Sequence, residues 1–247
     1  MLVEEARWFG RQLAHYSPAE LSPMLNVGSQ TLHFRRYVQP WIEQYVFAPL
    51  ERRGVQVLHT DLRPGAGVDL VGDVTEESFL AQLRTYPFRA VFCSNLLEHV
   101  HEPRKLATHL VQILPANAWI FVSCPRVFPY HPDPIDNGLR PTLAQLARLF
   151  PHTELVAGEE VACGAIWEYV LARLRAWLRE RRARQDGRLP QADQGGVTDL
   201  PAPTSPGAGL PWQQYARLAL WLCRPVWATC AVLRLSHRSA HQLESQP

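Results

Sequence analysis

The segment Ala90-Val-Phe-Cys-Ser-Asn-Leu-Leu-Glu-His-Val100 constrains the fold of this chain more than any other. An apolar β-type run passes into a polar hinge and then into a helix start that carries an acid and a histidine. Upstream, Val55-Gln-Val-Leu-His-Thr-Asp61 follows the same plan, a second apolar run that stops at a carboxylate. Such runs, separated by helical stretches, predict an α/β fold with a Rossmann-like, doubly wound and mostly parallel sheet. Its ligands sit beyond the carboxyl ends of the strands. A carboxylate at such an end, Asp61, can accept from both hydroxyls of a ribose. Further strands are expected at Met24–Val27, Asp69–Val71, Trp119–Ser123 and Thr153–Val156, and helices over 2–14, 76–85, 105–114 and 143–150. Residues 31–53 should be irregular before turning helical, because Pro40 and Pro49 interrupt them.

At 247 residues, 47% hydrophobic and 19% charged, the chain can bury a globular core without staples. The five cysteines (93, 124, 163, 223 and 230) form no CxxC pair and no zinc spacing, which fits a reducing compartment. The first residues lack a basic stretch followed by an apolar one, so no signal peptide and a cytoplasmic location are expected. Formal net charge is +2, unevenly placed: residues 1–162 hold 14 basic and 17 acidic groups, residues 163–247 hold 11 and 6.

This shift suggests an α/β domain over 1–165 and a basic helix over 166–185. A flexible Gly- and Pro-rich tract over 186–211 and an amphipathic helical tail over 212–247 would follow. Arg175, Arg179 and Arg182 share a helix face, but Glu168 and Glu180 dilute it and no RNA-binding module accompanies them, so no nucleic-acid partner is expected. Residues 212–235 are too interrupted by Arg217, Arg224 and Pro225 to span a bilayer. Trp212, Trp221 and Trp227 among arginines suit a helix lying on the inner face of an anionic membrane. Packing against the domain or a second copy is the competing reading.

Four blocks, in this order, carry a resemblance: Leu25-Asn-Val-Gly-Ser29, His59-Thr-Asp-Leu62, Val71-Gly-Asp-Val74 and Cys93 through Val100. They resemble the class I S-adenosylmethionine-dependent methyltransferases, in particular the group whose fourth strand runs into a "LEHV" segment. A fifth block, Phe121-Val-Ser-Cys-Pro125 with Phe128-Pro-Tyr-His-Pro-Asp-Pro-Ile-Asp136, is similar to the strand-five and substrate-loop region of that group. The resemblance covers residues 20 to 160. It implies a methyltransferase enzyme with S-adenosyl-L-methionine as cofactor, bound by Gly28, Ser29, Asp61, Leu62, Asp73, Val74, Asn95 and Leu96. Asp61 would take the ribose, Asp73 the adenine amino group, and the 95–97 hinge would pack the adenosine. The group usually has further glycines after the first, whereas Ser29, Gln30 and Thr31 follow Gly28 here.

The implied acceptor is a small molecule, a glycan or a lipid headgroup near the Pro-rich loop, with His131 as general base and Asp136 and Arg140 as substrate-binding groups. Each residue also has a plainer reading. Gly28 can be a simple turn, Asp61 a helix N-cap and Asp73 a turn aspartate, while Asp136 and Arg140 can pair to fix the loop. Glu98-His99 with His131 could ligate a cation. Asn95 is a poor ligand for a hard ion, so a metal-free site with a structural His99 is expected. Two other functions compete: a catalytically degenerate scaffold that binds a partner or membrane, and an NAD enzyme, weakened by the absence of GxGxxG.

Overall fold

The computed structural model describes residues 1–131, 135–186 and 222–236, and these form a seven-stranded sheet in the order β3-β2-β1-β4-β5-β7-β6. Strands β1 (Met24–Val27), β2 (Val57–Asp61), β3 (Leu70–Val71), β4 (Ala90–Ser94) and β5 (Trp119–Val127) pair in parallel. Strands β6 (Thr153–Ala165) and β7 (Pro225–Leu235) complete the far side, β7 running antiparallel to both β5 and β6. The strand order reverses between β1 and β4, which opens a crevice at their carboxyl ends.

Continuous apolar strands follow from burial on both faces. Along β4, Val91 and Cys93 enter one core with Leu80, Leu83, Leu106 and Leu110 from helices α5 (Glu77–Leu83) and α6 (Pro103–Gln112). Ala90 and Phe92 enter the opposite core with Ala6, Phe9 and Leu13 of helix α1 (Val3–Leu13). Phe92 meets Phe9 edge-on at 4.8 Å. Short helix α2 (Pro18–Leu21) leads into β1, and α7 (Leu143–Ala147) covers the β6–β7 side of the first core. Helix α8 (Ile166–Gln185) leaves β6 and starts against the second core through buried Ile166.

Two expectations are corrected here. Residues 31–53 are helical, as π turns at Phe34–Val38 and Glu43–Phe47 and short helices α3 (Pro40–Ile42) and α4 (Ala48–Arg52). Pro40 opens α3 after the non-helical Gln39, where no N–H is required, and Pro49 falls in the first turn of α4, where the π turn over Glu43–Phe47 gives way to α geometry, so neither breaks the run. The second correction concerns 212–247 as a helical tail. Residues 225–235 form a strand inside the sheet, between β5 and the edge strand β6, with Val226, Ala228, Cys230 and Val232 in one core and Ala231, Leu233 and Leu235 in the other. The uncharged run Val226-Trp-Ala-Thr-Cys-Ala-Val-Leu233 is a strand by length and composition, and Pro225 opens it. The α/β domain therefore does not end at 165, and 225–235 is not an interfacial helix. Strand β6 reaches 13 residues because β7 pairs with it from Thr153↔Leu235 to Ala165↔Pro225. The tract over 186–211 expected to be flexible, from 187 on, together with Trp212, Trp221 and the chain after 236, lies outside the described residues. No helix among the described residues is long and apolar enough to cross a membrane.

A polar pair sits inside the β1–β2 ladder. Asn26 and His59 face each other in register, and the Asn26 amide donates to His59 Nδ1 at 2.9 Å. Burial above all, then the nearby Arg35 charge, push the imidazole down from about 6.5 to about 4. The unfolded chain takes up this proton at higher pH than the folded one. The contribution to stability is thus complete above pH 6.5 and is lost as pH falls through 4. At 1.36 kcal/mol per unit this amounts to about 3 kcal/mol. His59→Phe is expected to flatten the fall in unfolding free energy across this acid window, read by guanidinium titration; an unchanged slope would contradict the assignment.

Candidate functional site

The carboxyl ends of β1, β2 and β3 form one continuous rim. Val27 pairs with Thr60 and Asp61 with Val71, so the residues after each strand are neighbours. Gly28 follows β1 with φ of +68°, in the left-handed region, and a Cβ there would meet Leu96 Cδ1 at 3.0 Å. Ser29 N–H donates to the Thr60 carbonyl at 2.9 Å. Gln30, also left-handed at φ 54°, donates its N–H to Asp61 Oδ2 at 2.8 Å. Asp61 Oδ1 accepts from Arg63 N–H at 3.2 Å, and the Asp61 carbonyl accepts from Gly72 N–H at 3.1 Å. Gly28, Asp61 and the 72–73 turn are therefore contiguous. A carboxylate has about four acceptor positions, so both Asp61 oxygens retain a lone pair for a ligand.

The neighbouring positions divide into polar and apolar roles. Asp73 Oδ1 accepts from both Thr75 N–H (2.8 Å) and Thr75 Oγ1 (2.7 Å), which is the turn role. Its Oδ2 makes no hydrogen bond among the described residues. Leu62 is 64% exposed at the rim, and Val74 is buried, its carbonyl accepting from His109. Leu96 packs over Gly28 between the β1 and β4 ends.

Two charged residues that sequence reasoning missed organise this rim. Arg35 is fully buried, and its guanidinium donates to Ser29 O (3.1 Å), Gln30 O (2.6 Å) and Gly67 O (2.9 Å). It ties the loop after β1 to the loop after β2, which a one-glycine turn could not hold alone. Its Nε has no partner among the described residues. Glu5 of α1 is likewise fully buried and accepts from Leu2 N–H, Ser94 Oγ, Asn95 Nδ2 and Ser123 Oγ. It seats α1 on the end of β4 and the middle of β5. The signal for Glu5 was an acid on the apolar face of helix 2–14. Arg35 had none beyond its distance from Gly28. Asn95, left-handed at φ 50°, spends its side-chain NH2 on Glu5 and its backbone N–H on the Ser123 carbonyl, so neither donor is left for the cofactor role expected of it.

The acceptor side lies beyond β4 and β5. Glu98 is fully buried, and burial pushes its carboxyl up to about 8. Its Oε2 accepts from Cys124 Sγ at 3.6 Å, and its Oε1 has no hydrogen-bond partner among the described residues. His99 Nδ1 contacts the Ile135 carbonyl at 2.6 Å. His131 Nδ1 lies 3.1 Å from the Pro129 carbonyl and 3.2 Å from Asp136 Oδ2, and burial holds this imidazole below its usual range, hence neutral at pH 7. Asp136 accepts from His131 N–H, Gly138 N–H and both terminal nitrogens of Arg140 (3.1 and 2.6 Å). Burial alone would raise its carboxyl, yet these donors hold it far below the usual range. Arg140 also donates to the Phe128, Pro129 and Leu139 carbonyls. This is the loop-fixing arrangement of Asp136 and Arg140, with both groups committed to the chain itself. Pro132, Asp133 and Pro134 of this loop lie outside the described residues.

No family model matches the chain, and no curated protein matches it. Solved structures do. A putative sarcosine dimethylglycine methyltransferase from Galdieria sulphuraria superposes with a TM-score of 0.52 at 12% identity, covering 94% of this chain and 85% of that one. The [4+2]-cyclase SpnF gives 0.50 at 15% identity, covering 93% and 80%, and the MccD protein 0.50 at 9%, covering 94% and 96%. The chain has the Rossmann-like fold of class I S-adenosylmethionine-dependent methyltransferases.

Removing the Arg35 clamp leaves three backbone carbonyls short of a donor, at about 1–3 kcal/mol each, offset in part by relief of a buried charge. Arg35→Met is expected to lower the unfolding free energy by about 3 kcal/mol in urea titration. A wild-type midpoint would show that the clamp does not hold the loop.

Proposed function

We propose that this chain binds S-adenosyl-L-methionine along the β1–β2–β3 rim and transfers its methyl group to a small-molecule acceptor beyond β4 and β5. The single observation that carries the reading is the contiguity of the left-handed Gly28 turn, the Asp61 carboxylate and the Gly72-Asp73 turn along the β1–β2–β3 rim, which borders the reversal of strand order between β1 and β4. Fold alone is too weak a support, since a similar structure is a [4+2]-cyclase. Residue chemistry adds the rest. Asp61 accepts from the two ribose hydroxyls, Asp73 Oδ2 and the Val74 N–H take the adenine edge, and Leu62 and Leu96 flank the adenosine. The backbone of Gly28-Ser29 approaches the methionine end, with the Arg35 cation behind it to favour a carboxylate.

Methyl transfer is an in-line displacement. The acceptor atom forms a bond to the methyl carbon as the carbon–sulfur bond breaks, leaving S-adenosylhomocysteine. The protein's part is alignment of acceptor, carbon and sulfur. A hydroxyl acceptor also loses a proton, and neutral His131, its Nδ1 directed at Pro129 and Asp136, offers Nε2 to take it. The acceptor class is a small molecule, free or carried on a glycan or lipid headgroup. Asp136 and Arg140 support this side by holding the loop that carries His131.

Calorimetric titration with S-adenosylhomocysteine tests the reading. The wild type is expected to bind, and Asp61→Ala to weaken binding about 100-fold or more, the loss of two hydrogen bonds to a charged group at about 1.5–3 kcal/mol each. A folded wild-type chain that shows no heat at millimolar ligand would remove the proposal.

A further inference from the structure

We infer that helix α8 is a membrane-contact surface, which seats the carboxyl edge of the sheet on an anionic lipid bilayer. Five of the twelve large apolar side chains exposed among the described residues lie on this one helix: Trp167, Val170, Leu174, Trp177 and Leu178. Steps of three and four residues place them on a single stripe. At about 100° per residue, that stripe stands roughly opposite Tyr169, Ala172 and Ala176, which are the side chains turned to the protein body. The helix is thus apolar on two sides, and its packing on the domain accounts for one of them.

The helix belongs to the same edge as the crevice. Strand β6 ends at Ala165 opposite Pro225, and β7 leaves that point beside Val127, the carboxyl end of β5. From there α8 is laid against the turn that follows the β1 loop: Gln39 Nε2 donates to the Tyr169 hydroxyl at 2.9 Å, and His33 Nε2 lies 3.5 Å from Glu180 Oε1. Other exposed apolar side chains share this edge. Leu62 follows β2, Val71 and Val127 end β3 and β5, Tyr130 is on the acceptor loop, and Leu222 comes just before β7. Among the described residues only Leu155 and Val156, in the first part of the edge strand β6, stand away from it. Scattered apolar residues need no explanation, whereas a set gathered on one edge marks a contact surface.

Charge decides what covers the stripe. Helix α8 holds six arginines against two glutamates, and both acids are engaged: Glu168 accepts from the Ala165 N–H and Glu180 from Arg184. Arg175 and Arg182 border the stripe, and the Arg181 guanidinium lies over the Trp177 ring, 5.5 Å from its centroid. A second copy packed there would set arginines against arginines, whereas a bilayer rich in anionic lipid neutralises them. The long arginine stems reach phosphates while tryptophan rings settle among the headgroups, so the helix lies in the interface plane. Sequence reasoning placed this chemistry at 212–235; β7 takes 225–235 into the sheet, and α8, expected only as a basic helix, carries it. The consequence for the acceptor rests on the methyl-transfer reading: of the three acceptor carriers, the lipid headgroup is the one a membrane-seated crevice meets.

Cosedimentation of the full-length chain with vesicles, without nucleotide, tests the surface. The wild type is expected to bind vesicles of equimolar phosphatidylcholine and phosphatidylglycerol, and to bind pure phosphatidylcholine at least tenfold more weakly. Trp167→Glu, Leu174→Glu and Trp177→Glu should each weaken binding to the mixed vesicles about tenfold or more. Arg181→Gln and Arg182→Gln should each weaken it about fivefold. Exposed Arg52→Gln, at the end of α4 before β2 and hence on the opposite edge, should leave it unchanged. Circular dichroism confirms that each variant is folded. A folded wild type that ignores the mixed vesicles, or equal binding by the Trp167, Leu174 and Trp177 variants, overturns the proposal. So does a dimer that Leu174→Glu splits in a chain with no vesicle binding, which assigns the stripe to a second copy. A chain that binds vesicles but not S-adenosylhomocysteine contradicts only the transfer reading, and the reverse result contradicts only the membrane surface.

Discussion

The turn after β1 depends on a buried guanidinium. Gly28 enters the left-handed region and Gln30 repeats it, a path that exposes the carbonyls of Ser29 and Gln30 inside the protein. Arg35 meets both, reaches Gly67 across the next loop, and leaves the Gln30 N–H aimed at Asp61. A glycine-rich loop relies on backbone freedom to approach a ligand. This chain has one glycine there and stiffens the loop from behind with a cation. The proposed cofactor contacts all follow from that choice, because the same clamp sets where the Asp61 carboxylate lies relative to the β1 end.

The opposite half of the crevice is arranged by buried acids. Glu5 gathers Ser94 and Asn95 at the end of β4 and Ser123 in the middle of β5, which fixes α1 over the sheet. Glu98 lies under the next turn with one oxygen unpartnered, and Asp136 is surrounded by donors. A carboxylate removed from water is costly unless its lone pairs are used. Glu5 and Asp136 meet that condition within the chain, whereas Glu98, its carboxyl pushed up to about 8 by burial, meets it by keeping its proton at neutral pH.

Legibility in the sequence followed locality. The parallel strands β1, β2, β4 and β5 were visible because an apolar run bounded by polar residues is a property of neighbouring residues. The candidate rim was visible for the same reason, since Gly28, Asp61 and Asp73 each stand at the end of such a run. Strand β7 was not, because tryptophans and arginines upstream suggested an interfacial helix and its partners, β5 and β6, are distant in the chain. The full length of β6 was hidden with it. Proline was misread at 40 and 49, where the ring suits the first helical turn that it was taken to prevent. Arg35 and Glu5 were illegible because a buried charge is identified by its partners, and those are set by tertiary structure. Asp136 and Arg140 were placed together correctly, while the choice between holding a substrate and holding the loop needed the remaining donors and acceptors.

The central claim is that an adenosyl group rests on the rim built by Gly28, Asp61 and the 72–73 turn. A crystal structure of the chain grown with S-adenosylhomocysteine tests it most directly. The account predicts ribose oxygens within about 3 Å of Asp61, with the adenine beside Asp73 and Leu62. Clear density for the nucleotide at another place on the molecule would contradict it.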